Sequence, residues 1–250
     1  MAIDVSSNQR LSGRRVFVTG AGSGIGRACA SRSLATTNAP SAARRDAPAV
    51  PGAALAVVAD VTSEQSVADA VAQAADACGG LDTVVTCAGV LQSAATHETP
   101  LELWDLVLGV NLTGTFLAVR ECLPHLLAAG GGSVVTIGSI ASVVAGGYAA
   151  CYDASKGAVL QFTRAVGAEY AHRGIRANCV CPGAVATGLK ATSAAVTGPL
   201  RSQHATWAEA PISRHADPAE IAAVVAFLCA DDSSFMTGSA VMVDGGFTAV

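Results

Sequence analysis

Residues 19–28 read TGAGSGIGRA, directly after the apolar run RRVFVT at 14–19. A short β-branched run that breaks into glycines and resumes as an apolar helical pattern reads as strand, sharp turn and helix start within a dozen residues. Gly20, Gly24 and Gly26 allow the turn and let backbone N–H groups approach a pyrophosphate, while the amino end of the following helix attracts negative charge. The glycines do not follow the G-x-G-x-x-G spacing. The strand-turn-helix context therefore carries the reading, against the alternative of a glycine-rich turn that holds nothing.

Further apolar runs bounded by turn residues recur as ALAVVAD (54–60), LDTVVTCAG (81–89), SVVTIGS (133–139), IRANCVCPG (175–183) and SAVMVDGG (239–246). Helical stretches fall between them, near 25–36, 63–78, 101–128, 153–172 and 217–230, with cap candidates at Thr62 or Ser63 and at Asp217 before Pro218. Strands that alternate with helices and are apolar on both faces predict a parallel sheet covered on both sides. The expectation is one α/β domain over 1–250.

Composition narrows the function. The 250 residues are 51% hydrophobic and 14% charged, enough for a well-buried core. A net charge of −4, with Lys156 and Lys190 the sole lysines, argues against nucleic acid as the main partner. The opening MAIDVSSNQR lacks the apolar core of a signal peptide, and no later segment offers about twenty uninterrupted apolar residues, so the chain is expected in the cytoplasm and off the membrane. Eight cysteines are scattered without a CxxC pair or histidines at ligand spacing. They read as reduced, mostly buried small residues, with no metal site.

In CYDASKGAV (151–159), Tyr152 and Lys156 stand four residues apart on one helix face. A phenol with a pKa of about 10 is a poor acid or base near neutrality, and a cation one turn away favours its ionised form. An ordinary surface pair is the competing reading. Cys151 reads as packing in preference to a redox switch, because neighbouring helix residues point in different directions.

TGAGSGIG, Asn111, Ser139, Tyr152, Lys156 and the PGAVAT run from Pro182 to Thr187 occur together and in order, and this set resembles the short-chain dehydrogenase/reductase family from about Arg14 to Gly246. The resemblance implies a Rossmann-like doubly wound parallel sheet of about seven strands, and a metal-free, NAD(P)-dependent interconversion of an alcohol and a carbonyl. It implies Tyr152 as general acid and base, Lys156 holding the nicotinamide ribose and lowering the tyrosine pKa, Ser139 orienting the substrate oxygen, and Asn111 supporting a water chain. For Asn111 alone, a helix-interior residue capping a kink is the simpler reading. The dinucleotide would lie against Gly20, Ser23, Gly24, Ile25, Gly26, Asp60, Val61, Cys87, Ala88, Gly89, Tyr152, Lys156, Pro182, Gly183, Val185 and Thr187. Asp60 equally suits the amino-terminal cap of the next helix. Thr86-Cys87-Ala88-Gly89 departs from the family's Asn-Asn-Ala-Gly, and a thiol is a weaker hydrogen-bond partner than an amide.

Residues 38–52, NAPSAARRDAPAVPG, stand where the family has its second strand and the residue that reads the adenosine ribose. Pro40 to Ala43 is the strand on offer. If it runs through Ala43, the deciding position falls near Arg45, which favours NADP; counting about twenty residues on from Gly26 lands on Asp46, which favours NAD. A one-residue slip exchanges the faces, so both remain, with the paired arginines tilting the reading to NADP. A solvated turn is the third option.

Residues 184–216 are expected to form a mobile substrate lid, and Leu189, Leu200 and Trp207 in it suggest a fairly apolar alcohol or ketone. Helix 101–128 is apolar around more than one face, which with the resemblance suggests a homotetramer, or a dimer. A non-catalytic nucleotide sensor or scaffold on the same fold is the alternative function, and an epimerase or dehydratase a third.

Overall fold

Seven parallel strands carry the chain's architecture in a computed structural model that describes residues 11, 13–34, 41–43, 55–189, 193 and 209–250. They are β1 (Val16–Thr19), β2 (Ser41–Ala43), β3 (Ala56–Val58), β4 (Thr83–Thr86), β5 (Gly132–Ile137), β6 (Ile175–Pro182) and β7 (Ala240–Val243), and the sheet order is β3-β2-β1-β4-β5-β6-β7. The predicted doubly wound sheet is present, its order reversing direction between β1 and β4. Residues 41–43 do form a strand, pairing through the backbone with β1 and β3 in the register Val18↔Ser41↔Ala56. Arg45 and Asp46 lie outside the described residues.

Alternation along the central strands sends side chains to two cores. On one face Val16, Val18, Val85, Val135 and Val180 pack with Cys29 of α1 (Gly24–Leu34) and with Ile221, Val225 and Leu228 of a helix at Pro218–Cys229. On the other, Phe17, Val84, Val134 and Ala177 meet Val67 and Val71 of α2 (Glu64–Cys78), and helix residues Leu117, Cys122, Leu126 and Val166.

The long helical stretch is α3 (Leu101–Leu108), a π turn at Gly109–Thr113 and α4 (Gly114–Ala128), followed later by α5 (Ala150–Tyr170) and by α6, the helix at Pro218–Cys229. Leu101–Ala128 is long and apolar enough to cross a membrane, but half of its most apolar window is buried inside the fold, as in a core helix. Ser63 caps α2 through a hydrogen bond from the Ser66 amide. Asp217 caps α6 in a reciprocal box with Glu220. α5 begins at Ala150, three residues before the expected start, which places Tyr152 in its first turn.

Candidate active site

The carboxyl ends of β1, β3, β4, β5 and β6 meet at one edge of the sheet, beside the switch in strand order where open α/β sheets bind ligands. The glycine turn follows β1. Gly20 and Gly24 have φ of +69° and +52°, and a Cβ on Gly20 would lie 2.7 Å from the Ala88 nitrogen. A Cβ on Gly26 would lie 2.3 Å from the Gly20 carbonyl oxygen, so no side chain fits there. The first amides of a helix lack intrahelical partners. Those of α1 thus face the crevice from a turn that only glycine can make, a donor set that fits a dinucleotide pyrophosphate.

Thr19 Oγ1 accepts from the amides of Cys87 (3.1 Å) and Ala88 (3.2 Å), fastening β1 to the wall formed by residues 87–89. Val61 lines a narrow cleft with Phe17, Thr19, Gly20, Ala59 and Val67. Asp60, beside it, holds a turn: its Oδ1 accepts from the Thr62 amide (2.9 Å) and hydroxyl (2.7 Å). Ser63 takes the cap that Asp60 was a candidate for. From β6, Thr187 reaches over the start of α1, its Cγ2 lying 3.2 Å from where a Gly24 Cβ would stand. A cavity of about 350 Å³ opens between Gly24, Arg27, Ala186, Thr187 and Asp217. Gly183 leaves β6 against Asp244, whose Cα is 2.9 Å from a would-be Cβ.

Asn111 sits inside the π turn, fully buried. Its Oδ1 accepts from the Val90 amide (2.8 Å), and its Nδ2 donates to the Val90 carbonyl and the Ser155 hydroxyl, both at 3.0 Å. Asn111 thus sits in a helix-interior π turn, but its side chain ties that turn to the 89–90 wall and to α5 and does not cap its own helix. Gly89 lies between Asn111 and Lys156, since its would-be Cβ is 3.4 Å from Oδ1 and 3.6 Å from Nζ.

Ser139, two residues past the end of β5, caps a short 3-10 turn at Ile140–Ser142, accepting from the Ala141 amide at 3.2 Å. Ser142 Oγ accepts from the Ser139 amide and donates to the Lys156 carbonyl at 2.8 Å, which fixes that turn to α5. The Tyr152 hydroxyl lies near enough to the Ser139 side chain for Ser139 to act on its proton. One turn along α5, Lys156 Nζ donates to the Ile137 carbonyl (2.8 Å) and lies 5.8 Å from the centre of the Tyr152 ring.

Burial pushes the Tyr152 hydroxyl above its usual 10, and the neighbouring Ser139 side chain works against that rise. Burial likewise pushes Lys156 below its usual 10.5. The expected lowering of Tyr152 by Lys156 is thus reversed. The ammonium lies over the ring face with a proton on Ile137 O, so loss of solvent decides the direction.

Four features escaped the sequence reading. Thr19 and Ser142 act through pairings between distant segments. Cys179 and Cys181 place their sulfurs 3.9 Å apart behind Gly138, fully buried. Tyr148, half exposed, adopts φ of +54°, alone among the described non-glycine residues, and its signal was the adjoining Gly146-Gly147 turn. Cys151 is buried with Val90, Leu103 and Val107, as a packing residue.

A nucleotide crevice beside a Ser-Tyr-Lys set defines an oxidoreductase on a Rossmann-like fold. The family described as enoyl-(acyl carrier protein) reductase matches residues 20–248. The chain is 38% identical to 2-(R)-hydroxypropyl-CoM dehydrogenase of Xanthobacter autotrophicus, covering 95% of this chain and 99% of that one. It is 39% identical to cis-4-hydroxycyclohexanecarboxylate dehydrogenase of Sinomonas cyclohexanicum, over 95% and 97%. A Beutenbergia cavernae protein described as an NAD(P)-dependent gluconate 5-dehydrogenase, solved with NADP at low occupancy, superposes with a TM-score of 0.85 at 35% identity, over 98% and 100%. The chain belongs to the short-chain dehydrogenase/reductase family, and is an NAD(P)-dependent enzyme that interconverts alcohols and carbonyl compounds.

Proposed function

We propose that Tyr152 is the proton donor and acceptor of this reaction. The observation that carries the reading is the Ser139–Tyr152 hydroxyl pair, with Lys156 one turn below it, at the carboxyl edge of β5. The dinucleotide, when bound, supplies or takes the hydride at the substrate carbon. In reduction, the Tyr152 hydroxyl gives its proton to the carbonyl oxygen, while the Ser139 hydroxyl donates to the same oxygen and holds it in place. In oxidation, Tyr152 takes the proton back. Lys156 holds the nicotinamide ribose through donors that now rest on Ile137 O, and Asn111 keeps the 89–90 wall and Ser155 in register. Gly20, Ser23, Gly24, Ile25 and Gly26 hold the pyrophosphate, Asp60 and Val61 border the adenine, and Cys87–Gly89 and Pro182–Thr187 form the two walls.

The test is Tyr152→Phe, which removes one oxygen. We expect kcat/KM to fall by about 10²–10⁴-fold with dinucleotide affinity nearly unchanged. Turnover kept in Tyr152→Phe would refute the assignment.

The substrate reading is a fairly apolar secondary alcohol or ketone. Val143, Val144 and Tyr148 are exposed beside Ser139 and Tyr152, which supports it from the described residues. Leu200 and Trp207 of the supposed lid lie outside them. A panel in which small charged hydroxy acids outperform cyclic and long-chain alcohols would overturn this reading. Residues 184–216 read as the lid of a single domain, supported by the Val185–Ala216 bridge at its base and by Ser193 Oγ, which accepts from the Leu91 amide at 2.7 Å. For the dinucleotide, the paired arginines favour NADP; tighter NADH than NADPH in a fluorescence titration would transfer the role from Arg45 to Asp46.

A further inference from the structure

Two cysteines that are far apart in sequence meet beneath the glycine turn. Cys29 lies three residues after Gly26 and so shares its face of α1, the face that packs on the sheet. Cys87 follows the last residue of β4 and packs against the same core. The missing side chain of Gly26 makes the approach possible, since its would-be Cβ lies 3.1 Å from Cys87 Cβ. Cys29 and Cys87 thus sit in one core cluster on either side of that gap. Cys29 is buried, whereas Cys87 is half-buried beside the crevice. The neighbouring Cys87 first, and burial second, push the Cys29 thiol well above its usual range, so it is a poor first nucleophile.

We propose that Cys29 and Cys87 form a reversible disulfide on exposure to hydrogen peroxide, and that this cross-link and a bound dinucleotide oppose each other. Cys87 thiolate attacks one peroxide oxygen; an S–O bond forms, the O–O bond breaks, and hydroxide leaves to take up a proton as water. Cys29 then attacks the sulfenic sulfur. The S–S bond forms, the S–O bond breaks, and the second oxygen leaves as water with the Cys29 proton. Two thiols lose two electrons, and one peroxide gains them. Side chains that face each other across this gap approach the S–S length of about 2 Å by rotation about their Cα–Cβ bonds.

The cross-link acts on the crevice because both of its anchors are crevice walls. Cys29 is one turn beyond the pyrophosphate-facing start of α1. Cys87 is held to Thr19 through its amide, and Ala88 N is 2.7 Å from a would-be Gly20 Cβ, so neither wall shifts without the other. If the disulfide weakens dinucleotide binding, the dinucleotide must disfavour the disulfide by the same factor. The second closely spaced pair, Cys179 and Cys181, differs in kind. Two residues along a strand span about 6.6 Å, at the far end of the Cα separation a disulfide accepts, and both thiols are fully buried.

The experiment treats the full chain with a molar excess of hydrogen peroxide, quenches with an alkylating reagent, and maps the peptides by mass spectrometry. The linked peptide pair should contain Cys29 and Cys87, disappear with dithiothreitol, and be absent from Cys29→Ser, in which dimedone should trap Cys87 as the sulfenic acid. Cys87 recovered fully alkylated, or linkage found instead at Cys179–Cys181, overturns the proposal. The opposition to dinucleotide rests on the cofactor reading above and has its own readout. With NADPH or NADH at ten times its measured Kd, linkage should run about tenfold slower, because only the unbound fraction reacts. Unchanged linkage despite measured binding overturns the opposition; no binding at all refutes the cofactor reading and leaves the peptide map to decide the disulfide.

Discussion

Tyr152 shows how little a spacing motif says about its own proton. Four residues of separation put Lys156 on the right face, yet the phenol's direction is set by the solvent it has lost, with Asp153 adding to the rise. A group with a raised folded pKa binds its proton more tightly than in the unfolded chain. Its contribution to stability is therefore present up to the ordinary tyrosine range near 10 and is lost as pH climbs through the higher folded value. In the dinucleotide-free protein, the ultraviolet difference between parent and Tyr152→Phe should accordingly show phenolate only above pH 10. A Tyr152 phenolate forming near neutrality in that titration would mean that the Lys156 charge, and not burial, governs the site. Kinetic midpoints measured with substrate belong to the Tyr152–Lys156 pair as a unit, so they are no substitute for this titration. The position of Cys87 is a residue-scale lesson of the same kind: its departure from Asn was visible in the sequence, but its partner Cys29 was not, because a pairing across 58 positions leaves no local trace.

Among the elements, α6 was the most legible. Asp217, Pro218 and Glu220 spell a capped helix start, and the structure closes the box with the Ala219 amide on Asp217 (2.8 Å) and the Asp217 amide on Glu220 (2.8 Å). Asp217→Ala should cost about 0.5–2 kcal/mol in urea unfolding, the usual range for loss of a cap. Arg214 adds two hydrogen bonds to Glu220 and holds that carboxyl near 2, from an ordinary 4.5. A depressed folded pKa gives stability that is present above 4.5 and lost as pH falls toward 2, so Glu220→Gln should flatten the acid limb of the parent's stability curve; an unchanged limb would count against the pair. The other helices and strands were legible for a like reason, since capping and apolar runs are written locally. The π turn was not, because it exists to seat Asn111 against Val90 and Ser155, contacts that lie 21 and 44 residues away. Nor was the site's inner layer, where Ser142 and Thr19 act across elements. The residues that would choose between NAD and NADP sit in a segment too poor in strand formers to fix its own register, and Arg45 and Asp46 fall outside the described residues.

At the scale of the whole molecule, the unexplained feature is apolar surface on the α3–α4 side. Leu101 is 68% exposed and Phe116 40%, on helices that otherwise bury Leu117, Cys122 and Leu126 against the sheet. Phe116 meets Phe162 of α5 edge to face at 6.0 Å, and Arg120 covers its ring at 5.4 Å, so one patch joins α4 and α5. Leaving such a patch in water forgoes roughly 25 cal/mol for each Å² of apolar area that could be covered. Self-association through α4 and α5 covers it, as the proposed tetramer would. A twofold interface uses the same patch on both subunits, so a single substitution enters it twice. Phe116→Asp places two desolvated carboxylates in that interface without touching Ser139, Tyr152 or Lys156. Sedimentation of the parent should give four times the 24.8 kDa chain, and Phe116→Asp should sediment as a smaller species with its monomer fold intact by circular dichroism. A parent that sediments as a single chain at micromolar concentration would leave the patch to another partner and remove the tetramer from the account.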